Sequence, residues 1–251
     1  MTTLTSPTFA APPRTVTVEI WSDVACPWCY IGKRRFATAL AGFEHRAHVE
    51  VVWRSYQLSP GTPAGPGRPE IDALVEMKGL PRDQVEQMFA HVTDVAAGDG
   101  LRYDFARTLA FNTFDAHRLL HLAARVGGAA LAEATTEALF SAHFEQGVDL
   151  GAEGALVAIA AGAGFGSHGW DDAQVADALA SDAEADAVRA DLRTARELGV
   201  TGVPFFVVDR RYAVSGAQPA EVLARLLDAG WREANPLVPA AGADACTDDG
   251  C

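Results

Sequence analysis

In TVTVEIW, residues 15–21, a β-branched run in which the apolar Val16, Val18 and Ile20 recur at every second position, the alternation predicts a strand. Residues 1–14 carry Pro7, Pro12 and Pro13 without any period and predict a flexible leader. After the strand, Ser22 and Asp23 are turn formers, Pro27 suits the first turn of a helix running to about Ala41, and Gly42 is its stop. A second alternating run, HVEVVWRSYQL over residues 48–58, predicts another strand. Strand, helix and strand at this spacing favour a parallel pair with a right-handed crossover.

The stretch SPGTPAGPGRPE ends that unit, and from residue 70 to 181 the period is helical. Candidate helices cover 70–78, 81–97, 111–126, 129–145, 152–163 and 171–180, divided by Gly and Pro breakers and with no strand signal between them. A further helix over 182–198 stops at Gly199. TGVPFFVVDRRYAVSG then predicts a strand, a two-residue turn at Arg210-Arg211 and a second strand, and residues 219–230 form a terminal helix with Pro at its start and Gly at its end. Residues 235–251 have no periodicity and are rich in small and acidic side chains, which predicts a mobile tail. The expected fold class is therefore α/β with a large all-helical insertion. Its organisation is a leader over 1–14, one domain built from 15–60 and 182–230, an inserted helical domain over 61–181, and a tail over 231–251.

Composition narrows the choice of partner. The 251 residues hold 20 Lys and Arg against 33 Asp and Glu, a formal charge of −13, which disfavours nucleic acid and anionic membranes. No run approaches the ~18 apolar residues of a membrane span, and the N-terminus lacks the basic and apolar regions of a secretory signal, so the expected location is the cytoplasm. Only four cysteines occur, Cys26, Cys29, Cys246 and Cys251, as C-x-x-C and C-x-x-x-x-C at opposite ends of the chain. In a reducing compartment such pairs point to redox chemistry or metal rather than to a structural disulfide framework.

Cys26-Pro27-Trp28-Cys29 follows a strand and opens a helix. There the free backbone N–H groups and the positive end of the helix dipole favour a thiolate at Cys26, which makes it the nucleophile. Cys29, one turn later and directed into the fold, is placed to resolve the mixed disulfide that Cys26 makes with a substrate, and only Cys26 of the two is expected at the surface. This chemistry needs no cofactor beyond the two thiols, with glutathione or a reductase as electron partner. A four-cysteine zinc site is the competing account. Pro27 and the helix restrain the first pair unlike a zinc knuckle, and the second pair lies in a featureless tail.

The segments EIWSDVACPWCYIGKRRF, FNTFDAHRL and LGVTGVPFFVVDRRYAVSGAQ, in that order, resemble the DsbA family of the thioredoxin superfamily. The resemblance covers about residues 15–230 and is strongest to the FrnE-type branch, itself akin to 2-hydroxychromene-2-carboxylate isomerases and kappa-class glutathione transferases. It implies a thioredoxin fold with a helical insertion, and a thiol:disulfide oxidoreductase, also a candidate disulfide isomerase, acting on protein or peptide substrates. It also implies a cis Val203-Pro204 peptide beside the active-site disulfide, with Pro204 joining Cys26 and Cys29 as catalytic and with Pro27, Trp28 and Val203 meeting substrate. By residue type alone, Pro204 reads first as an ordinary trans proline starting a strand. Trp28 lacks the cationic donor that His gives in the Cys-Pro-His-Cys version of the family, which implies a milder oxidant.

Asp23, Asn112 and His117 are candidates for proton handling or groove lining. A turn residue, a helix N-cap and a satisfied helix histidine explain them as well. Cys246 and Cys251 are expected to close a small disulfide ring and to act as an auxiliary redox pair. The alternative function is a glutathione-dependent isomerase or transferase, which has no need of both cysteines.

Overall fold

The computed structural model describes residues 12–236. Most of the predicted leader, and the tail pair Cys246 and Cys251, lie outside the described residues.

Four strands form one mixed sheet in the order β2-β1-β5-β6, from β1 (Val16–Ser22), β2 (Val49–Ser55), β5 (Phe205–Val208) and β6 (Tyr212–Ser215). β1 and β2 run parallel in the register Val16↔Val49 to Ser22↔Ser55, as expected from the intervening α1 (Pro27–Ala41). β5 runs antiparallel to β1, placing Phe205 opposite Trp21. Val16, Val18 and Ile20 pack on Phe36 and Ala39 of α1 and on Leu223, Leu226 and Leu227 of α8 (Ala220–Ala234). On the other face, Trp21 meets Ala195, Val200 and Val207. Each fully buried large apolar side chain of this kind contributes about 1.5–3 kcal/mol.

Between β2 and β5 the chain is mainly helical: α2 (Glu70–Lys78), α3 (Arg82–Gly98), α4 (Phe114–Phe144), α5 (Ala155–Ala163), α6 (Asp172–Ala180) and α7 (Ala185–Glu197). The two helices expected over 111–145 are joined as α4 and kinked at Gly128, whose φ of 65° and ψ of −160° are not helical. One expectation fails here. A short antiparallel ladder, β3 (Arg68–Pro69) with β4 (Leu109–Ala110), interrupts the helical region; two-residue strands have no period to read.

Two other details differ. The β5–β6 turn is centred one residue earlier than expected. Asp209 and Arg210 both have positive φ, at 47° and 55°, and Arg211 N donates to Val208 O at 2.9 Å. This is a primed hairpin turn, held because Asp209 accepts from Thr17 N and Arg210 pairs with the buried Glu19. Gly230, read as a helix stop, is inside α8. A Cβ there would lie 2.2 Å from Val208 Cγ1, so the glycine allows helix and sheet to approach.

Candidate active site

The turn after β1 presents both cysteines. Cys26 is the N-cap of α1 with extended φ and ψ of −95° and 111°, Pro27 occupies the first helical turn, and no acidic residue offsets the dipole there. Cys26 N donates to Asp23 O and Cys29 N to Cys26 O, each at 3.0 Å, which fixes the loop. From the insertion, Tyr103 Oη donates to Pro27 O at 2.7 Å. The expected contrast in exposure is not observed: Cys26 is 4% and Cys29 1% exposed. The difference between them is access, since Cys26 lines a cleft and Cys29 does not. Burial pushes the Cys29 thiol well up, and the neighbouring Cys26 adds to the effect.

The Val203-Pro204 peptide is cis. The Cys26 thiol donates to Val203 O at 3.6 Å, so this loop lies directly beside the first cysteine. Gly32 of α1 makes room for Pro204, whose Cγ would be 2.8 Å from a Cβ at that position. The cleft beside Cys26 has a volume of about 550 Å³ and lies between the active-site turn and α2 and α3. Trp28, Leu58, Met77 and Met88 line it and are exposed, alongside Phe89 and Phe111. Val203 meets Cys26 but is not part of the cleft wall.

A DSBA-like thioredoxin domain profile matches residues 17–228, which spans every element of this site. The chain belongs to that family. Among solved structures it is similar to the probable DsbA oxidoreductase of Streptomyces coelicolor, at 44% identity and a TM-score of 0.80 over 94% of this chain and 98% of that one. The cytosolic disulfide reductase DsbM of Pseudomonas aeruginosa shares the fold at 17% identity and a TM-score of 0.56, over 86% of this chain and 96% of that one. A 2-hydroxychromene-2-carboxylate isomerase shares it at 16% and 0.64, over 86% and 97%. Among curated proteins, uncharacterized protein YwbO of Bacillus subtilis matches over 46 residues at 39% identity. That segment is 18% of this chain and about a fifth, 21%, of that protein.

In this DsbA-like chain, Asp23 is more than a turn former. It is 1% exposed, its Oδ2 accepts from Leu58 N at 2.8 Å, and its Oδ1 lies 3.3 Å from His117 Nε2. Asn112 precedes the actual N-cap, Thr113, and its Oδ1 accepts from Phe114 N at 2.9 Å. Two residues near Asp23 carried no sequence signal. His143 is fully buried with neither ring nitrogen partnered by the protein, and burial pushes it down to about 4. Glu70 lines the Cys26 cleft, and burial, with the charge of Asp23, pushes its carboxyl up to about 7. Burial is a tertiary property, so a lone His in a helix and a lone Glu at a helix start look ordinary in sequence.

Proposed function

We propose that this chain is a thiol:disulfide oxidoreductase of the FrnE type that exchanges disulfides with protein or peptide substrates through Cys26-Pro27-Trp28-Cys29. The observation that carries the reading is the placement of Cys26. It caps α1, lines an open apolar cleft and lies beside Val203 O. Cys26, as its thiolate, attacks a substrate sulfur lying in the cleft. The leaving sulfur takes the bonding electron pair. Cys29, one turn behind, then attacks Cys26 Sγ, releases the second substrate thiolate and leaves the Cys26–Cys29 disulfide. The two thiols carry both electrons, so no further cofactor enters, and glutathione or a reductase restores them.

The cleft supports a peptide substrate through its apolar walls, on which a side chain flanking the substrate disulfide can pack, while Val203 presents backbone to an extended strand. Pro204, Pro27 and Trp28 complete the substrate face. The scarcity of cysteines fits a reducing compartment and hence the cytoplasm. Among the described residues no helix is long and apolar enough to cross a membrane. The tail pair Cys246 and Cys251 enters the same reading as an auxiliary couple. Insulin disulfide reduction by the full chain, run beside a glutathione-dependent isomerisation assay, tests the proposal. The expected result is reduction that Cys26→Ser abolishes; isomerisation that persists in that variant would instead establish the glutathione-dependent alternative.

A further inference from the structure

Five buried side-chain polar atoms among the described residues lack a hydrogen-bond partner in the protein: Ser22 Oγ, Glu70 Oε2, His117 Nδ1 and both ring nitrogens of His143. Folded proteins leave few such atoms, and each calls for a reason. Four of these five atoms belong to residues grouped around Asp23: His117 bonds it, and its charge acts on both His143 and Glu70. Of the four residues, only Glu70 lines the cleft that holds Cys26.

The local backbone fixes Glu70 there. It is the first residue of α2, and its N–H donates to Thr108 O at 3.0 Å. The two preceding residues form β3 and pair with Leu109 and Ala110, so this ladder anchors the start of α2. Among the described residues no cation pairs with the carboxyl. Arg68 on β3 pairs with Glu76 at 2.5 Å in an adjoining cavity, and Lys78 at the far end of α2 and His91 on α3 line the Cys26 cleft without bonding Glu70. Asp23, with His117 and His143 behind it, is the charged neighbour on the active-site side. An acid kept partly protonated near neutral pH, in the cleft that Cys26 also lines, is poised to give up a proton.

We propose that Glu70 is the proton donor to the thiolate expelled from the substrate disulfide when Cys26 attacks, a role that rests on the oxidoreductase reading above. The step is balanced. The Cys26 thiolate forms the new S–S bond with one substrate sulfur, and the old S–S bond breaks with its electron pair on the other. Cys26 is oxidised to a mixed disulfide, and the departing sulfur is reduced and takes the Glu70 proton to leave as a thiol. Solvent entering the open cleft reprotonates the carboxylate. An alkyl thiolate, as from a cysteine peptide, is basic and gains from the donor, whereas an aromatic thiolate of low pKa leaves unaided.

The test is single-turnover reduction of two probes by the full chain, a cystine-bridged peptide and 5,5′-dithiobis(2-nitrobenzoate). In Glu70→Gln, the ratio of peptide to aromatic rate constants is expected to fall about a hundredfold, the lower end of the usual range for general acid catalysis. In the unaltered protein the same ratio should decline as pH rises through about 7, where Glu70 loses its proton, and in the variant it should be flat. Taking the ratio cancels the ionisation of Cys26, common to both probes. Equal slowing of both probes, which leaves the ratio unchanged, would mean a merely structural Glu70, and two unchanged rate constants an uninvolved one; either result overturns the assignment. Failure of the unaltered protein to reduce either probe would overturn the oxidoreductase reading instead.

Discussion

His143 lies between Phe111 and Phe144, with ring centroids 5.3 and 4.4 Å away. Its imidazolium would be a charge that Asp23 offsets only in part in that setting, which is why burial holds its folded value near 4, below the 6.5 of a free histidine. The unfolded chain therefore binds a proton in this window that the folded chain does not, and stability falls as pH drops from about 6.5 towards 4. Glu70 acts in the opposite sense. Its raised carboxyl keeps a proton when folded, so its contribution is present below the unfolded value of 4.5 and is lost as pH rises through about 7. His143→Phe keeps the ring and removes the titration. Urea denaturation at pH 7 and pH 4.5 should show a flatter acid loss in the variant, a difference of roughly 2 kcal/mol at the lower pH. Equal acid loss in both proteins would place the proton uptake elsewhere. Glu19 illustrates the other outcome of burial. Desolvation pushes its carboxyl up, but hydrogen bonds and charge from Arg210 and Arg54 outweigh this and hold it below the usual range.

At the scale of elements, α1 is held on several sides. Lys33, buried on it, pairs with Glu133 and Glu137 of α4 at 2.5 and 2.7 Å, and Arg35 bonds Asp99 and Ala217 O. Gly32 gives α1 its close approach to Pro204. Gly32→Ala should push Pro204 away from Cys26, destabilise the fold by about 1–3 kcal/mol, and slow disulfide exchange. Gly42→Ala is the control, because its Cβ would find nothing nearer than 3.8 Å. Thermal unfolding with a disulfide assay on both variants decides this; parallel behaviour of the two would remove packing from the argument.

The same elements show what was legible beforehand. Helices punctuated by Gly and Pro, such as α1 and α2, were readable to within a residue or so because the breakers are local chemistry. The kink at Gly128 was readable as a break between Gly127 and Gly128, though not as the joint of one long element. The β3–β4 ladder was not, since two residues carry no pattern. Gly230 misled because sequence shows a glycine and not the Val208 side chain against it.

Across the whole molecule, residues distant in sequence share one site: the active-site turn, Val203 and Pro204 from the loop before β5, and Glu70, Met77, Met88 and His91 from α2 and α3. The redox motif and the Gly-Val-Pro loop were visible as strings, each with its own chemistry. Asp23 and His117 were visible only as separate candidates, because the bond between them crosses 94 positions. The core that contains Cys26 and Cys29 also draws on Val92 and Ala96 of α3 and Phe140 and Phe144 of α4, so the helical region supports the cysteines as well as walling the cleft. In the proposed oxidoreductase this division gives the chemistry to Cys26 and the choice of substrate to the cleft. The most direct test is to trap the intermediate with Cys29→Ser in the full chain, using a cystine-bridged peptide and mapping the adduct by mass spectrometry. The account predicts a stable mixed disulfide on Cys26 that is absent in Cys26→Ser. A peptide trapped on Cys29 in the Cys26→Ser variant, with none on Cys26 in Cys29→Ser, would contradict it.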